Sequence, residues 1–356
     1  MTLAVIFGGD TPEHEISLAG AQAVLIHAKA LGWDVLPVGV MRDGRWLIGP
    51  GALAQLWQAA DPRMLPRSAA RAGVALGESD AVEVFDGPPP VGAFDGYDVA
   101  LPVCHGRWGE DGTLQGLLLC YGLRLVGCGV AASATCFDKH LTKSVLSAEG
   151  LPVAAGIRVN REEHAKDPAA VDAYVRDRLG GGPWFVKPAR GGSSLGIGRT
   201  DSTAGLHQAL REALRWDEAA LVEETIPHRE MALGVMGGHQ ELVVSPPGEC
   251  IPVGSLYTYE EKYHLGNPRF TCPASIDAGL AEEARELAAD VFRVLGCAVF
   301  ARVDLFLDER TGTWVVNEVN TIPGMTATSV FPNVMRAAGY TYPELLAELR
   351  RLAAVV

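Results

Sequence analysis

Lysine is scarce in this 356-residue chain: Lys29, Lys139, Lys143, Lys166, Lys187 and Lys262 are the only six, against 24 arginines. Arginine serves wherever any surface cation suffices, so the few lysines are candidates for roles that need a compact ammonium. A basic cluster is also missing. With a net charge of −13, neither nucleic acid nor an anionic membrane is an expected partner. A small anionic ligand held in one cleft remains compatible with that balance. No C-x-x-C pair occurs among the seven cysteines, at 104, 120, 128, 136, 250, 272 and 297. The odd count fits reduced thiols better than a disulfide framework or a zinc site. Arg124 interrupts the most apolar stretch, 114–137, which leaves no uncharged run of membrane-spanning length. The N-terminus lacks a basic n-region and enters the strand-like "LAVIFGG" at once, which predicts no signal peptide and a cytoplasmic protein.

What is present reads as a folded chain, 48% hydrophobic and 21% charged, and too long for one ordinary core. Residues 3–7 predict a buried strand, followed by a helix at about 15–31 and a strand at 34–40. Asp43-Gly44 signals a hairpin into "RWLI", and about 60–95 has the Pro, Gly and Ala content of a peripheral insertion. "YDVALPV" (97–103) predicts a third strand, then the loop "CHGRWGEDG" and a helix from Thr113, so this region is an α/β unit with a parallel sheet. Beyond it, helices are expected at 130–149, 168–180, 203–216, 279–295, 332–338 and 342–354. Strands are expected at "WFVKPA", 220–224, 230–236, 298–307 and 313–319. Three domains follow as the expected division: about 1–127, 128–222 and 223–356.

Two stretches carry the chemistry. In "KPARGGSSLG" (187–196) a strand-borne lysine leads into small residues whose backbone N–H groups and hydroxyls suit a polyphosphate. The lysine precedes the glycines, so this is not the G-x-x-x-x-G-K-[ST] loop, and a mobile turn is the plainer alternative. "GGDTPEHE" likewise fails the G-x-G-x-x-G fingerprint of dinucleotide folds. In "VVNEVNTIPGMT" (315–326) a strand period of two puts Glu318 and Asn320 on one face. Taken alone, this is also readable as a strand end with its polar face in water. Across the turn at 310–312, "ARVDLFLD" offers Asp304 beside them and Arg302 two residues earlier. Such a cluster is expected to need a cation, and a few oxygen ligands from protein suit Mg²⁺ on nucleotide phosphates. Arg302 is then placed to neutralise a transferring phosphoryl group.

Together these residues resemble the ATP-grasp superfamily. More closely, "GGDTPEHEISL", "HGRWGEDGTLQG", "FDKHLTK", "KPARGGSSLG", "EKY" and "NEVNTIPGMT" are similar, in order and approximate spacing, to the motifs of D-alanine–D-alanine ligases, over about residues 3–345. The resemblance implies an ATP-grasp fold, α/β and α+β, with an N-terminal parallel-sheet α/β domain. It also implies ligation of two D-alanines through a D-alanyl phosphate for peptidoglycan precursors. In that reading Lys139 and Lys187 hold the ATP phosphates, while Glu223 and Glu230 take the adenine side and the ribose hydroxyls. Asp304, Glu318 and Asn320 bind two Mg²⁺, for which Mn²⁺ can substitute, and the family includes members requiring a monovalent cation. Glu13 orients the first D-alanine's ammonium, with His105 near its carboxylate, and Ser193 and Tyr263 complete a hydrogen-bonded group with Glu13. Lys262, Ser329 and Val330 fall where the family contacts the second alanine and the γ-phosphate. Arg302 and the backbone N–H of Gly324 stabilise the oxyanion. A homodimer is the assembly implied by analogy.

Plainer expectations stand beside these. Lys143, one turn after Lys139, reads as a solvated helix residue, and His14, His140 and His264 as surface. Glu15 competes with Glu13 as the substrate-orienting acid, but reads better as support for the first turn of its helix. Cys104 beside His105 lacks a third partner and reads as a buried thiol. Thr258 and Gly191 depart from many relatives, which bears on loop closure and flap mobility. The rival activity is D-alanine–D-lactate ligation, against which a tyrosine at 263 counts. A rival of another class is a nucleotide-binding module that has lost catalysis, which predicts erosion among Arg302, Asp304, Glu318 and Asn320.

Overall fold

The computed structural model describes residues 2–61, 64, 81–238, 241–251 and 269–355. Among these, three sheets account for the strands. The first contains β1 (Thr2–Gly8), β2 (Asp34–Val40), β3 (Trp46–Ile48), β4 (Glu83–Phe85), β5 (Val99–Pro102) and β6 (Arg124–Leu125), in the order β4-β3-β2-β1-β5-β6. Its four strands β2, β1, β5 and β6 are parallel, while β3 and β4 add antiparallel at one edge. β1 is an unbroken apolar run because both of its faces are covered, Leu3 to Phe7 being wholly buried. The chain leaves β1 towards β2 on one side and returns to β5 on the other. That is a switch point, where the loops after the strands part and leave a crevice. Ser17 ties its two walls together: its Oγ accepts from Gly8 N–H (2.8 Å) and donates to the Val103 carbonyl (2.7 Å).

The second sheet is antiparallel, with β7 (Gly156–Asn160), β8 (Trp184–Pro188), β9 (Gly198–Thr200) and β10 (Ala219–Glu224) in the order β7-β10-β8-β9. The helices Pro168–Leu179 and Thr203–Trp216 cover it through Val171, Val175, Leu206, Leu210 and Leu214. The third sheet holds β11 (His228–Gly237), β12 (Leu242–Val244), β13 (Gly248–Ile251), β14 (Arg269–Thr271), β15 (Val299–Asp308) and β16 (Trp314–Asn320). β11 and β15 pair along their whole lengths, from His228 opposite Asp308 to Gly237 opposite Val299. β10 runs to Glu224, two residues past the division expected at 222, and Thr225 to Pro227 link it to β11.

Packing crosses the expected divisions. The helices Val130–Phe137 and Lys139–Ala148 pack on the third sheet, where Cys128, Ala132, Cys136 and Leu146 join a core with Leu305, Val316 and Val319. The last helix, Tyr342–Ala353, shares a core with Leu3, Val5, Leu18 and Leu101 of the first unit. A helix at Ala52–Ala59, with Leu53 and Leu56 buried, precedes the expected insertion, whose described part includes the edge strand β4 paired with β3. Among the described residues, no helix is long and apolar enough to cross a membrane.

Candidate active site

The cleft between the second and third sheets is lined by Lys139, Lys187, the loop 191–195, Glu223, Glu230, Asn317 and Glu318. Phe185, Ile226 and Phe306 give it an apolar wall, and His228 stacks on Phe306 at 3.6 Å between ring centroids. Asp138 caps the helix that begins with Lys139, accepting from the N–H groups of His140 (3.0 Å) and Leu141 (3.1 Å). Lys139 Nζ then donates to the Gly191 carbonyl (2.5 Å) and lies 3.7 Å from Glu318. Glu223 stands opposite Phe185 and Lys187 opposite Leu221, so Lys187 and Glu223 are diagonal neighbours on one face of the sheet. Lys187 Nζ is 2.7 Å from Glu223 Oε2, and Lys143 Nζ is 2.6 Å from Glu223 Oε1. Burial by itself raises the Glu223 carboxyl, but the two lysines outweigh this and hold it below its ordinary value. Lys143 is lowered, chiefly by burial, which Glu223 opposes.

β15 and β16 set Arg302 opposite Asn320 and Asp304 opposite Glu318. The Arg302 guanidinium grips Asp304 with two bonds of 2.7 Å, and Asn320 Nδ2 donates to Asp304 Oδ2 (3.0 Å). Burial alone would lower Arg302, yet Asp304 more than reverses this and holds it above its ordinary value. Arg302 thus brings positive charge from the chain itself to the cluster expected to need a cation. A register shift between Asp304 and Leu305 makes Asn317 the extra residue of β16. The bulge turns Asn317 into the cleft, where its Oδ1 accepts from Lys187 Nζ at 3.4 Å.

From the first unit, Glu13 follows β1 and His105 follows β5, one on each wall of the switch-point crevice. Ser193 Oγ donates to Glu13 Oε1, so the glycine-rich flap of the second sheet reaches across to the first unit. Ser193 and Ser194 take φ of +51° and +58°, a left-handed backbone uncommon for residues with a Cβ and found at functional sites. Gly192 has no room to spare: a Cβ there would lie 3.2 Å from Glu13 Oε2. Burial lowers the His105 imidazole, against the pull of Glu13, so the ring is neutral near pH 7. Glu110 accepts from Gly106 N–H at 2.6 Å, and burial with the nearby Glu13 charge pushes its carboxyl up to about 8. At the far end of the site, Ser329 precedes the helix Val330–Ala337, and a Cβ on Gly324 would meet Ser329 Oγ at 2.9 Å.

Two family models cover most of this chain: D-ala D-ala ligase N-terminus over residues 2–128 and D-ala D-ala ligase C-terminus over 145–350. The chain belongs to the D-alanine–D-alanine ligase family. Among curated relatives, a D-alanine–D-alanine ligase of Chlorobium luteolum is 40% identical over 352 residues, 99% of this chain and 96% of that protein. One from Streptomyces griseus is 39% identical over 364 residues, 99% of this chain and 92% of that protein. Of solved structures, the VanG D-Ala:D-Ser ligase of Enterococcus faecalis matches with TM-score 0.79 at 32% identity, covering 99% of both chains. The D-alanine–D-alanine ligase of Coxiella burnetii matches with TM-score 0.77 at 29% identity, covering 99% of this chain and 95% of that one.

The ligase fold brings Glu13, Ser193 and His105 into one group, and Lys139, Lys187, Glu223, Glu230 and Glu318 onto one cleft. Lys262 and Tyr263 lie outside the described residues, as do Thr258 and His264. Two expectations are corrected. Lys143 is not solvated, its side chain being 8% exposed, because Glu223 gives the buried ammonium a partner. His14 is not a surface residue; it is buried and its Nδ1 lies 2.8 Å from the Gly9 carbonyl. Glu15 lies in the first turn of its helix, as expected, and both its oxygens also accept from Arg42 at 2.8–3.0 Å. Cys104 is buried, and burial raises its thiol well beyond reactivity.

The family implies Mg²⁺. Asp304, Glu318 and Asn320 present oxygen donors on paired strands beside two lysines. Among the described residues no group of three or more His, Cys, Asp or Glu side chains is arranged to hold a metal, so the third protein donor here is an amide. Few protein donors, all hard oxygen, suit an ion that keeps water and phosphate oxygens in its shell, so the residues fit the group.

Proposed function

We propose that this ligase uses ATP to join two D-alanines into D-alanyl-D-alanine, in the cytoplasm and as a homodimer, for peptidoglycan precursors. A carboxylate is a poor electrophile, so amide formation in water needs activation. One carboxylate oxygen of the first D-alanine attacks the γ-phosphorus, the bond to ADP breaks, and an acyl phosphate forms. The second D-alanine's ammonium gives up a proton to water, and the resulting amine attacks the carbonyl carbon. The tetrahedral intermediate then breaks its C–O bond to phosphate, and a second proton is lost from the nitrogen as inorganic phosphate leaves. Bound Mg²⁺, two ions on Asp304, Glu318 and Asn320, would supply charge neutralisation on the phosphates, with Mn²⁺ an accepted substitute and a monovalent cation an optional helper.

The chain's own residues do the rest. Lys139 and Lys187 take phosphate oxygens, and Glu223 and Glu230 the adenine side and ribose hydroxyls. Glu13 holds the first ammonium, with neutral His105 near the carboxylate as a hydrogen-bonding group that adds no charge. Ser193 and Tyr263 fix Glu13. Arg302 and the Gly324 N–H face the oxyanion of the tetrahedral intermediate. Lys262 reaches the γ-phosphate, and the second carboxylate sits at Ser329 and Val330, where a helix N-terminus favours an anion.

The observation that supports this most is the Ser193–Glu13 contact, because it puts a flap of the nucleotide cleft on the acid that would hold an amino acid. The inactive-module reading loses ground, since Arg302, Asp304, Glu318 and Asn320 are all present and packed together. The test is product analysis by mass spectrometry with ATP, Mg²⁺ and equal D-alanine, D-serine and D-lactate. D-alanyl-D-alanine, with ADP and phosphate, is the expected product. A mixed dipeptide or depsipeptide in excess would reassign the second substrate, and ATP binding without D-alanine-dependent phosphate release would make this a module. Tyr263→Phe should raise lactate use; an unchanged product ratio at neutral pH removes Tyr263 from that role.

A further inference from the structure

Lys143 has no part in the reading above, yet it is one of the most buried charges beside the cleft. Its ammonium and that of Lys187 share the Glu223 carboxylate, at 2.6 and 2.7 Å, and the three side chains are 8%, 5% and 5% exposed. Two ammoniums on one carboxylate leave a surplus positive charge in a place where charge is costly. The two lysines are not equivalent. Lys187 lines the cleft and has a neutral second partner, Asn317 Oδ1 at 3.4 Å, with the Phe185 ring centroid at 5.7 Å. Lys143 is not among the residues that line the cleft; it approaches Glu223 from the helix Lys139–Ala148.

A lysine held at 2.7 Å by a carboxylate has a donor to spare, but any movement of its ammonium towards a phosphate oxygen stretches that bond. Were Lys187 the sole partner, its move would strand Glu223 as a buried, uncompensated anion, and the carboxylate would pull the lysine back. We infer that Lys143 is the resident counter-ion of Glu223, a positioning residue that frees Lys187 for the phosphates of the nucleotide. This rests on the proposed assignment of Lys187 to phosphate. It explains why a second lysine stands one turn behind Lys139 in a chain so poor in lysine. The ammonium that stays and the ammonium that moves are separate groups.

The experiment compares affinities for ATP and for adenosine, by calorimetry on the full chain with Mg²⁺ and without D-alanine. Adenosine carries no phosphate, so the ratio of the two affinities isolates what Lys187 delivers. Lys143→Met should lower that ratio roughly tenfold or more, the worth of one hydrogen bond to a charged group. Lys143→Arg should retain most of it. In the Lys143→Met/Glu223→Gln double variant the carboxylate no longer competes for Lys187. The ratio should then return to within roughly threefold of that of Glu223→Gln alone. A merely structural lysine predicts the opposite, a second loss added to the first. Should Lys143→Met not fold, the double variant against Glu223→Gln decides alone, and a tenfold gap between them overturns the inference. Lys187→Met runs in parallel. If it lowers the ratio and Lys143→Met does not, the counter-ion role fails while the phosphate assignment stands. If Lys187→Met leaves the ratio unchanged, the phosphate assignment itself is wrong and the counter-ion role goes with it.

Discussion

Glu110 gives the site a measurable pH dependence. Its carboxyl is pushed up to about 8 from an ordinary 4.5, first by burial and then by Glu13 and Glu318, against the Gly106 N–H and Lys139. In the folded ligase it therefore keeps its proton where the unfolded chain has lost it. The folded form binds the extra proton, so this group's contribution to stability is full below about 4.5, falls as pH rises, and is gone above about 8. Each pH unit of elevation corresponds to about 1.4 kcal/mol. The carboxyl keeps some contact with solvent, which screens the neighbouring charges and reduces their effect on stability. That leaves roughly 2–3 kcal/mol across the window. Glu110→Gln retains the shape without the titration. Urea unfolding of both proteins, free of nucleotide and divalent ions, should show the wild type losing that amount relative to the variant between about pH 5 and pH 8.5. Parallel stability profiles over this range would refute the burial argument.

The other predictions concern the same corner. Ser193→Ala removes the hydroxyl that donates to Glu13, a bond to a charged acceptor worth roughly 1.5–3 kcal/mol, so kcat/KM for D-alanine should fall about tenfold to a hundredfold, in a variant that still folds but melts at a lower temperature. An unaltered kcat/KM would mean the flap contact does not bear on the first substrate. Glu13→Gln and Glu15→Gln should separate cleanly. The first should raise KM for D-alanine at little cost in stability. The second should lower stability by about 1–2 kcal/mol, by loosening the buried carboxylate's two bonds from half-exposed Arg42, with KM unchanged. Steady-state kinetics and thermal melts on both variants check this, and exchanged phenotypes would make Glu15 the substrate acid.

How far the sequence discloses the molecule depends on the range of the interaction involved. β1 is readable because an apolar run with both faces covered leaves no other choice, and β15 and β16 because alternation marks one face. The same period of two places Asp304, Glu318 and Asn320 together and hides Asn317, since a bulge opposite Asp304 breaks the alternation. Lys143 shows the complementary gap. Helical spacing says that it follows Lys139 by a turn, but what that turn meets is Glu223 on β10, brought there by tertiary folding. The scarcity of lysine was the one available signal, and it pointed at Lys143 as much as at Lys139. Glu110 sits inside a stretch already notable for its glycines, yet its elevated carboxyl comes first from burial in the fold and then from Glu13 and Glu318 on other elements. His14 and Glu15, flanked by polar residues, look solvated in the chain and are buried by the packing of the first helix.

The cores determine which parts of the ligase move together. The core of the first unit takes in Phe300, Met325, Phe331 and the leucines of the last helix, so it is continuous with the third sheet. Glu13, His105, Arg302 and Gly324 thus hang from one shared core, and the groups that would hold and polarise the first amino acid keep their spacing. The core of the second sheet is separate, running from Ile157 to Val222, and β10 joins β11 through Thr225 to Pro227. Tilting that sheet leaves the burial inside the shared core intact. What it disturbs is polar: Ser193 on Glu13, Lys139 on the Gly191 carbonyl, Lys143 on Glu223, Lys187 on Asn317, and the bond from Arg107 of the first unit to Asp217 (2.9 Å), which also holds Arg190 at the base of the flap. Such contacts are individually modest in water and strengthen as water leaves the cleft. Ligands that displace water from the cleft therefore strengthen the contacts that hold the flap, which suits an enzyme whose activated intermediate would otherwise be lost to water.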